Sequence, residues 1–107
     1  MSSRREKIEA MLVDDPADEF LRYSLALELD KEGAHERSLT EFDGLMRAET
    51  PYVPAFFMAA QQLTRLGRVA DARARLREGI EQARAAGNAH AAGEMSEFLA
   101  SLGALGE

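Results

Sequence analysis

The side chains of this 107-residue chain that could do chemistry are two histidines, nineteen carboxylates and a scattering of serines, with no cysteine. His35 and His90 lie far apart in sequence, and neither belongs to a metal-ligand spacing such as His-Glu-x-x-His. Each is expected to play a surface or capping role. Glu28, Asp30 and Glu32 are close in sequence, but on a helix they spread around the axis, whereas acid-base catalysis needs paired acids in one cleft. They are expected to be solvated. The serines lack the glycine-flanked elbow of a hydrolase nucleophile, and no glycine-rich phosphate loop is present. The pattern therefore predicts no catalytic residue, no metal site, no cofactor and no enzyme activity. Absence of thiols also suits a reducing compartment, and the cytoplasm is the expected location.

The elements that carry these residues follow from an internal repeat. Aligning Gly33 with Gly67 superposes equivalent residues at a period of 34. Ala26 matches Ala60, Leu29 matches Leu63, Ser38 matches Ala72, Phe42 matches Leu76 and Met46 matches Ile80. The same period run backwards puts Ile8 and Leu12 in register with Phe42 and Met46, so the first helix has the character of the second half of a unit. Each unit has apolar residues at spacings of three and four on both sides of its glycine, which predicts two helices. Gly33 and Gly67 stand where the first helix must stop, because glycine tolerates the left-handed conformation there. Asp15 is the expected N-cap of the first unit, with Pro16 at the first helical position; Thr50-Pro51 and Pro54 punctuate the second. Beyond Gly87-Asn88, the row Met95, Phe98, Leu99 and Leu102 predicts a closing helix, in which two extra loop residues bring Ser96 onto Ala60 and Leu99 onto Leu63. Residues 101–107 are expected to fray. One domain over 1–107 results, with a half-repeat helix at 4–14, repeats at 16–50 and 51–86, and a capping helix at 88–102. Gly44 and Gly79 fall inside helices; Gly79 occupies a small-residue position of the repeat, whereas nothing in the sequence accounts for Gly44.

Composition and charge limit the partners. With 46% hydrophobic and 30% charged residues the chain lies in the globular range. A net charge of -6 disfavours nucleic acid. No stretch approaches the roughly 18 apolar residues needed to cross a bilayer, and Glu6, Lys7 and Glu9 interrupt what would be the apolar part of an export signal. Neither membrane nor nucleic acid is expected as a partner. Residues 18–52 hold nine acids and four bases, whereas residues 53–86 hold six arginines and three acids. Opposite charge of this kind fits an acidic peptide drawn to the second segment, or the two segments of different copies meeting. It fits better a solvated face, on which Arg75 can pair with Asp71 and Arg77 with Glu81.

The small-residue, glycine and large-apolar pattern at period 34 resembles the tetratricopeptide repeat family over nearly the whole chain. In that family small residues pack the two helices of a unit together, at the positions of Ala26, Ala60, Ser38 and Ala72 here, with bulky residues at Phe42 and Leu76. One departure is the aromatic near the start of the first helix, which is Arg22 in one unit and Phe56 in the other. The resemblance implies an all-α, right-handed superhelix of helical hairpins with about six helices, whose first helices line a concave face that binds a partner peptide or protein. Carried over by position, that face would be Phe20, Tyr23, Leu27 and Asp30 from the first unit and Phe57, Met58, Gln61 and Arg65 from the second. Members that clamp a terminal carboxylate place lysine and asparagine where this chain has Tyr23, Leu27 and Met58, so a clamp of that type is not expected. The alternative function is a self-associating, homodimeric structural protein, with Tyr23 and Phe57 covered by a second copy or by the closing helix.

Overall fold

Ser3 opens the first helix with a reciprocal box. Its hydroxyl accepts from the Glu6 N–H at 3.1 Å, and the Glu6 carboxylate accepts from the Ser3 N–H at 3.0 Å, so two donors that a helix start leaves orphaned are satisfied. The structure, a computed structural model, describes residues 3–103, and over that range it contains six α-helices and no strand. These are α1 (Arg4–Asp14), α2 (Glu19–Lys31), α3 (His35–Met46), α4 (Val53–Arg65), α5 (Val69–Ala85) and α6 (Ala89–Gly103).

Three helix ends share one chemistry. Gly33, Gly67 and Gly87 adopt φ of 83°, 79° and 73°. In each case the next residue's N–H reaches back to a carbonyl of the last turn: Ala34 to Leu29 at 2.9 Å, Arg68 to Leu63 at 2.8 Å and Asn88 to Ala83 at 2.8 Å. The opening of α2 differs from expectation. Asp18, not Asp15, is its N-cap, accepting from the Leu21 N–H at 2.9 Å. Asp15 instead ends α1, and its carbonyl accepts from the Asp18 N–H at 3.2 Å, which places Pro16 in a turn before the helix. Residues 101–103 do not fray either. They complete α6, where Leu102 is buried and its carbonyl accepts from the buried Arg73 guanidinium at 2.8 Å. The rest of the segment expected to fray, 104–107, lies outside the described residues.

The helices form two compact units that divide between Tyr52 and Val53. In the first unit α2 packs against both α1 and α3. Ile8 of α1 joins Leu25 and Leu29 of α2 in one apolar cluster, edged by Leu12 and Ala34. On the α3 side, Ala26, Ser38, Phe42 and Leu45 are buried, and the Ser38 hydroxyl donates to the Ala26 carbonyl at 2.6 Å. That bond lets a polar side chain occupy a position where the second unit has Ala72. In the second unit α5 packs against α4 and α6, around Phe56, Ala60, Leu63, Ala72, Leu76 and Met95.

Both mid-helix glycines acquire a reason. A Cβ at Gly79 would stand 2.6 Å from the Phe56 Cβ and 2.6 Å from the Met95 sulfur, so the glycine admits an aromatic ring and a thioether between helices. A Cβ at Gly44 would stand 2.6 Å from the Arg22 guanidinium. Arg22 and Phe56 are equivalent in the repeat, and each lies over a glycine of the following helix, one residue apart in register.

Candidate partner-binding surfaces

Along α2, residues spaced by three, four and three share one face: Phe20, Tyr23, Leu27 and Asp30. Phe20 is 61% exposed. Tyr23 is half-buried, with its ring edge-on to Phe42 at 6.1 Å and tilted on Tyr52 at 5.5 Å. Burial, and then the neighbouring Tyr52, push its phenol above the ordinary tyrosine range. Leu27 is half-buried, and the Asp30 carboxylate lies 2.9 Å from His35 Nδ1. The opposite face of the same helix, Leu25, Ala26 and Leu29, is closed to water.

The corresponding stripe on α4 is Phe57, Met58, Gln61 and Arg65. Phe57 keeps partial exposure because α6 covers only one side of it: the Phe98 ring sits tilted at 5.6 Å. Beside the two rings lies a cavity of about 340 Å³, bordered by Glu94, Glu97 and Ser101. The Gln61 amide donates to the Met58 sulfur at 3.8 Å, and Arg65 is exposed. Inward of this stripe, Ala59, Ala60 and Leu63 are buried.

Sequence reasoning missed Tyr52, Phe98, Glu94 and Glu97 as neighbours of these stripes. The periodicity of α6 assigned Phe98 to a buried row; Met95 and Leu102 are buried, whereas Phe98 and Leu99 stay half-open. The helical carboxylates are not simply solvated as expected. Glu28 is 9% exposed and holds Arg4 at 3.0 Å and Lys31 at 3.6 Å, and Glu32 takes Arg5 at 2.8 Å. They tie α1 to α2, a tertiary role that spacing within one helix cannot reveal. Arg75, expected to pair with Asp71, instead lies beside Glu78, with nitrogens at 2.9 and 3.0 Å from its two oxygens. No group of three metal-ligating side chains comes together among the described residues, and none of their helices is long and apolar enough to cross a membrane.

Two solved structures share this arrangement of helices. The solution structure of a tetratricopeptide repeat domain protein from Salinibacter ruber is 32% identical, with a TM-score of 0.77 over 82% of this chain and 89% of that one. A protein from Bordetella parapertussis, 23% identical, superposes with a TM-score of 0.80 over 96% of this chain and 90% of its own, and shares the fold. No family model and no curated protein matches the sequence. The period of 34, the glycine-closed hairpins, the small-residue contact between paired helices and the extent of the Salinibacter match place this chain in the tetratricopeptide repeat family.

Proposed function

We propose that this protein is a non-catalytic interaction module that binds a peptide or surface of a partner protein through α2 and α4, the first helices of its two repeats. One observation carries the reading. Phe20, Tyr23, Leu27, Phe57 and Met58 keep partial or full exposure, while the opposite faces of the same helices are shut. Aromatic and apolar side chains left in this state supply contact area that the core does not need, and such residues anchor a partner's side chains. On α2 the polar end of the stripe is Asp30, and on α4 it is Gln61 and Arg65, so each stripe offers apolar anchors with polar groups at one end.

Phe57→Glu tests the reading. The parent chain and the variant, shown by circular dichroism to be equally helical, are used to capture proteins from the native lysate, and a captured partner is then titrated with both. A glutamate beside Glu94 and Glu97 introduces charge repulsion as well as removing the ring. Binding should weaken by at least about tenfold, the scale of a lost aromatic anchor. Equal affinity for both forms would remove Phe57 from the site and leave self-association as the better account.

A further inference from the structure

On the other side of α2, a groove of about 510 Å³ runs between α1 and α2, lined by Arg4, Lys7, Ile8 and Met11 from one helix and Phe20, Leu21 and Ser24 from the other. The repeat shows what kind of object fits it. At period 34, Arg4 matches Ser38 and Ala72, Ile8 matches Phe42 and Leu76, and Met11 matches Leu45 and Gly79. In α3 and α5 all of those positions are buried, packed on the helix that precedes each in its hairpin. In α1 only the two ends of that row are open, Met11 at 49% exposure and Arg4 projecting into solvent, while Ile8 between them is buried with Leu25 and Leu29. The groove therefore has the form of a seat for the first helix of a hairpin.

α6 carries the matching form. Its sequence aligns with first helices, Ser96 with Ala60 and Leu99 with Leu63. The two α4 residues are buried, whereas Ser96 and Leu99 are half-open. Around them the helix presents Ala89, Gly93, Ala100 and Gly103, all exposed. Gly93 lies inside the helix, where glycine is unfavourable. Unlike Gly44 and Gly79 it has no reason within its own chain, since a Cβ there would meet nothing within 4 Å. A glycine of this kind allows another backbone to approach closely. Charge agrees as well. Arg4 and Lys7 line the groove, and α6 contains Glu94 and Glu97 and no lysine or arginine. Lys7 and Glu97 each lack an ion-pair partner among the described residues.

We propose that α6 of one copy docks into the α1–α2 groove of a second copy, in the place that the first helix of a hairpin takes against α3 and α5. Met11 of the groove then meets the exposed Gly93, a large side chain against a glycine as Phe56 meets Gly79 within the second unit. The contact is heterologous, since every copy offers one groove and one helix, and assembly grows with concentration. It shares Phe20 with the stripe above but uses neither Tyr23, Leu27 nor Arg65, and its readout, self-assembly, is separate from capture of a partner.

Sedimentation velocity of the full chain over a wide concentration range at low salt tests it. The parent should shift progressively to larger species. Gly93→Leu should remain monomeric while losing no helicity, because the added side chain enters open space in its own molecule but fills the contact. Lys7→Glu and Glu97→Lys should each weaken association by about tenfold or more, through like charges brought together. An equimolar mixture of the two should recover association, since each charge-reversed groove then finds a charge-reversed helix. A parent that stays monomeric throughout, a Gly93→Leu variant that assembles like the parent, or a mixture no better than its components overturns the proposal.

Discussion

A methyl group added at Gly79 meets the Phe56 Cβ and the Met95 sulfur, both at 2.6 Å in a closed core. One added at Gly44 meets only the end of the flexible, half-buried Arg22 side chain. The two substitutions should therefore have opposite signs. Gly79→Ala should destabilise by about 1–3 kcal/mol, as overpacking outweighs helix propensity. Gly44→Ala should stabilise by about 0.5–1 kcal/mol, because Arg22 can swing aside and propensity then dominates. Urea unfolding of the two variants against the parent measures both, and a loss of stability for Gly44→Ala would show that the guanidinium position matters. At Glu6, the Ser3 backbone N–H and then its hydroxyl hold the carboxyl below the usual glutamate range. A carboxylate with a depressed folded value contributes stability above its unfolded value and loses it as pH falls through the folded one. Acidification should release the start of α1 first, seen as faster amide exchange at Glu6. Glu6→Gln, whose amide keeps an acceptor without titrating, should flatten that response.

At the scale of the element, α6 depends on a side chain from its neighbour. Arg73 is 6% exposed and donates to the Leu102 carbonyl at 2.8 Å, one of the carbonyls that a helix end leaves without an intrahelical partner. Arg73→Met keeps most of the volume and removes the donor. It should destabilise the second unit by about 2 kcal/mol, the scale of a hydrogen bond from a charged group. Hydrogen exchange should accelerate most in the last turn of α6; uniform acceleration across the unit would point to packing instead. The contrast between legible and illegible elements follows the range of the interaction. Gly33 and Gly67 could be placed from sequence because the left-handed turn is a local demand, confirmed at φ of 83° and 79°. The contact of Ala26 with Ser38 is what the family resemblance implied, and the 2.6 Å bond between them bears it out. The N-cap of α2 was not legible, because Asp15 and Asp18 both precede the apolar row and only the turn across Pro16 decides between them. Nor was the pairing of Glu28 and Glu32 with α1, which depends on a neighbouring helix, or the half-open state of Phe98, since periodicity gives a face and not what covers it.

For the whole molecule, the uneven charge raises the question of what salt should disturb. Residues 18–52 are strongly acidic and residues 53–86 are basic on balance. Part of this charge is spent inside each unit: Arg4 and Arg5 on Glu28, Glu32 and Glu9, and Arg75 on Glu78. Apart from the nearly buried Glu28, these pairs sit largely at the surface, where each contributes only about 0–1 kcal/mol and salt screens it. Raising ionic strength from low to above physiological should therefore shift the unfolding midpoint only slightly. Association should behave differently. In the proposed contact Lys7 of the groove faces Glu97 of a second copy's α6, and docking excludes the water that screens them. The same change in salt should weaken assembly by severalfold or more, in the parent and in the Lys7→Glu and Glu97→Lys mixture alike, since every contact in either pairs one lysine with one glutamate. Thermal melts and sedimentation of one sample series across salt give both readings. Melting that tracks salt as steeply as assembly does would assign the charge segregation to folding instead of to contact between copies.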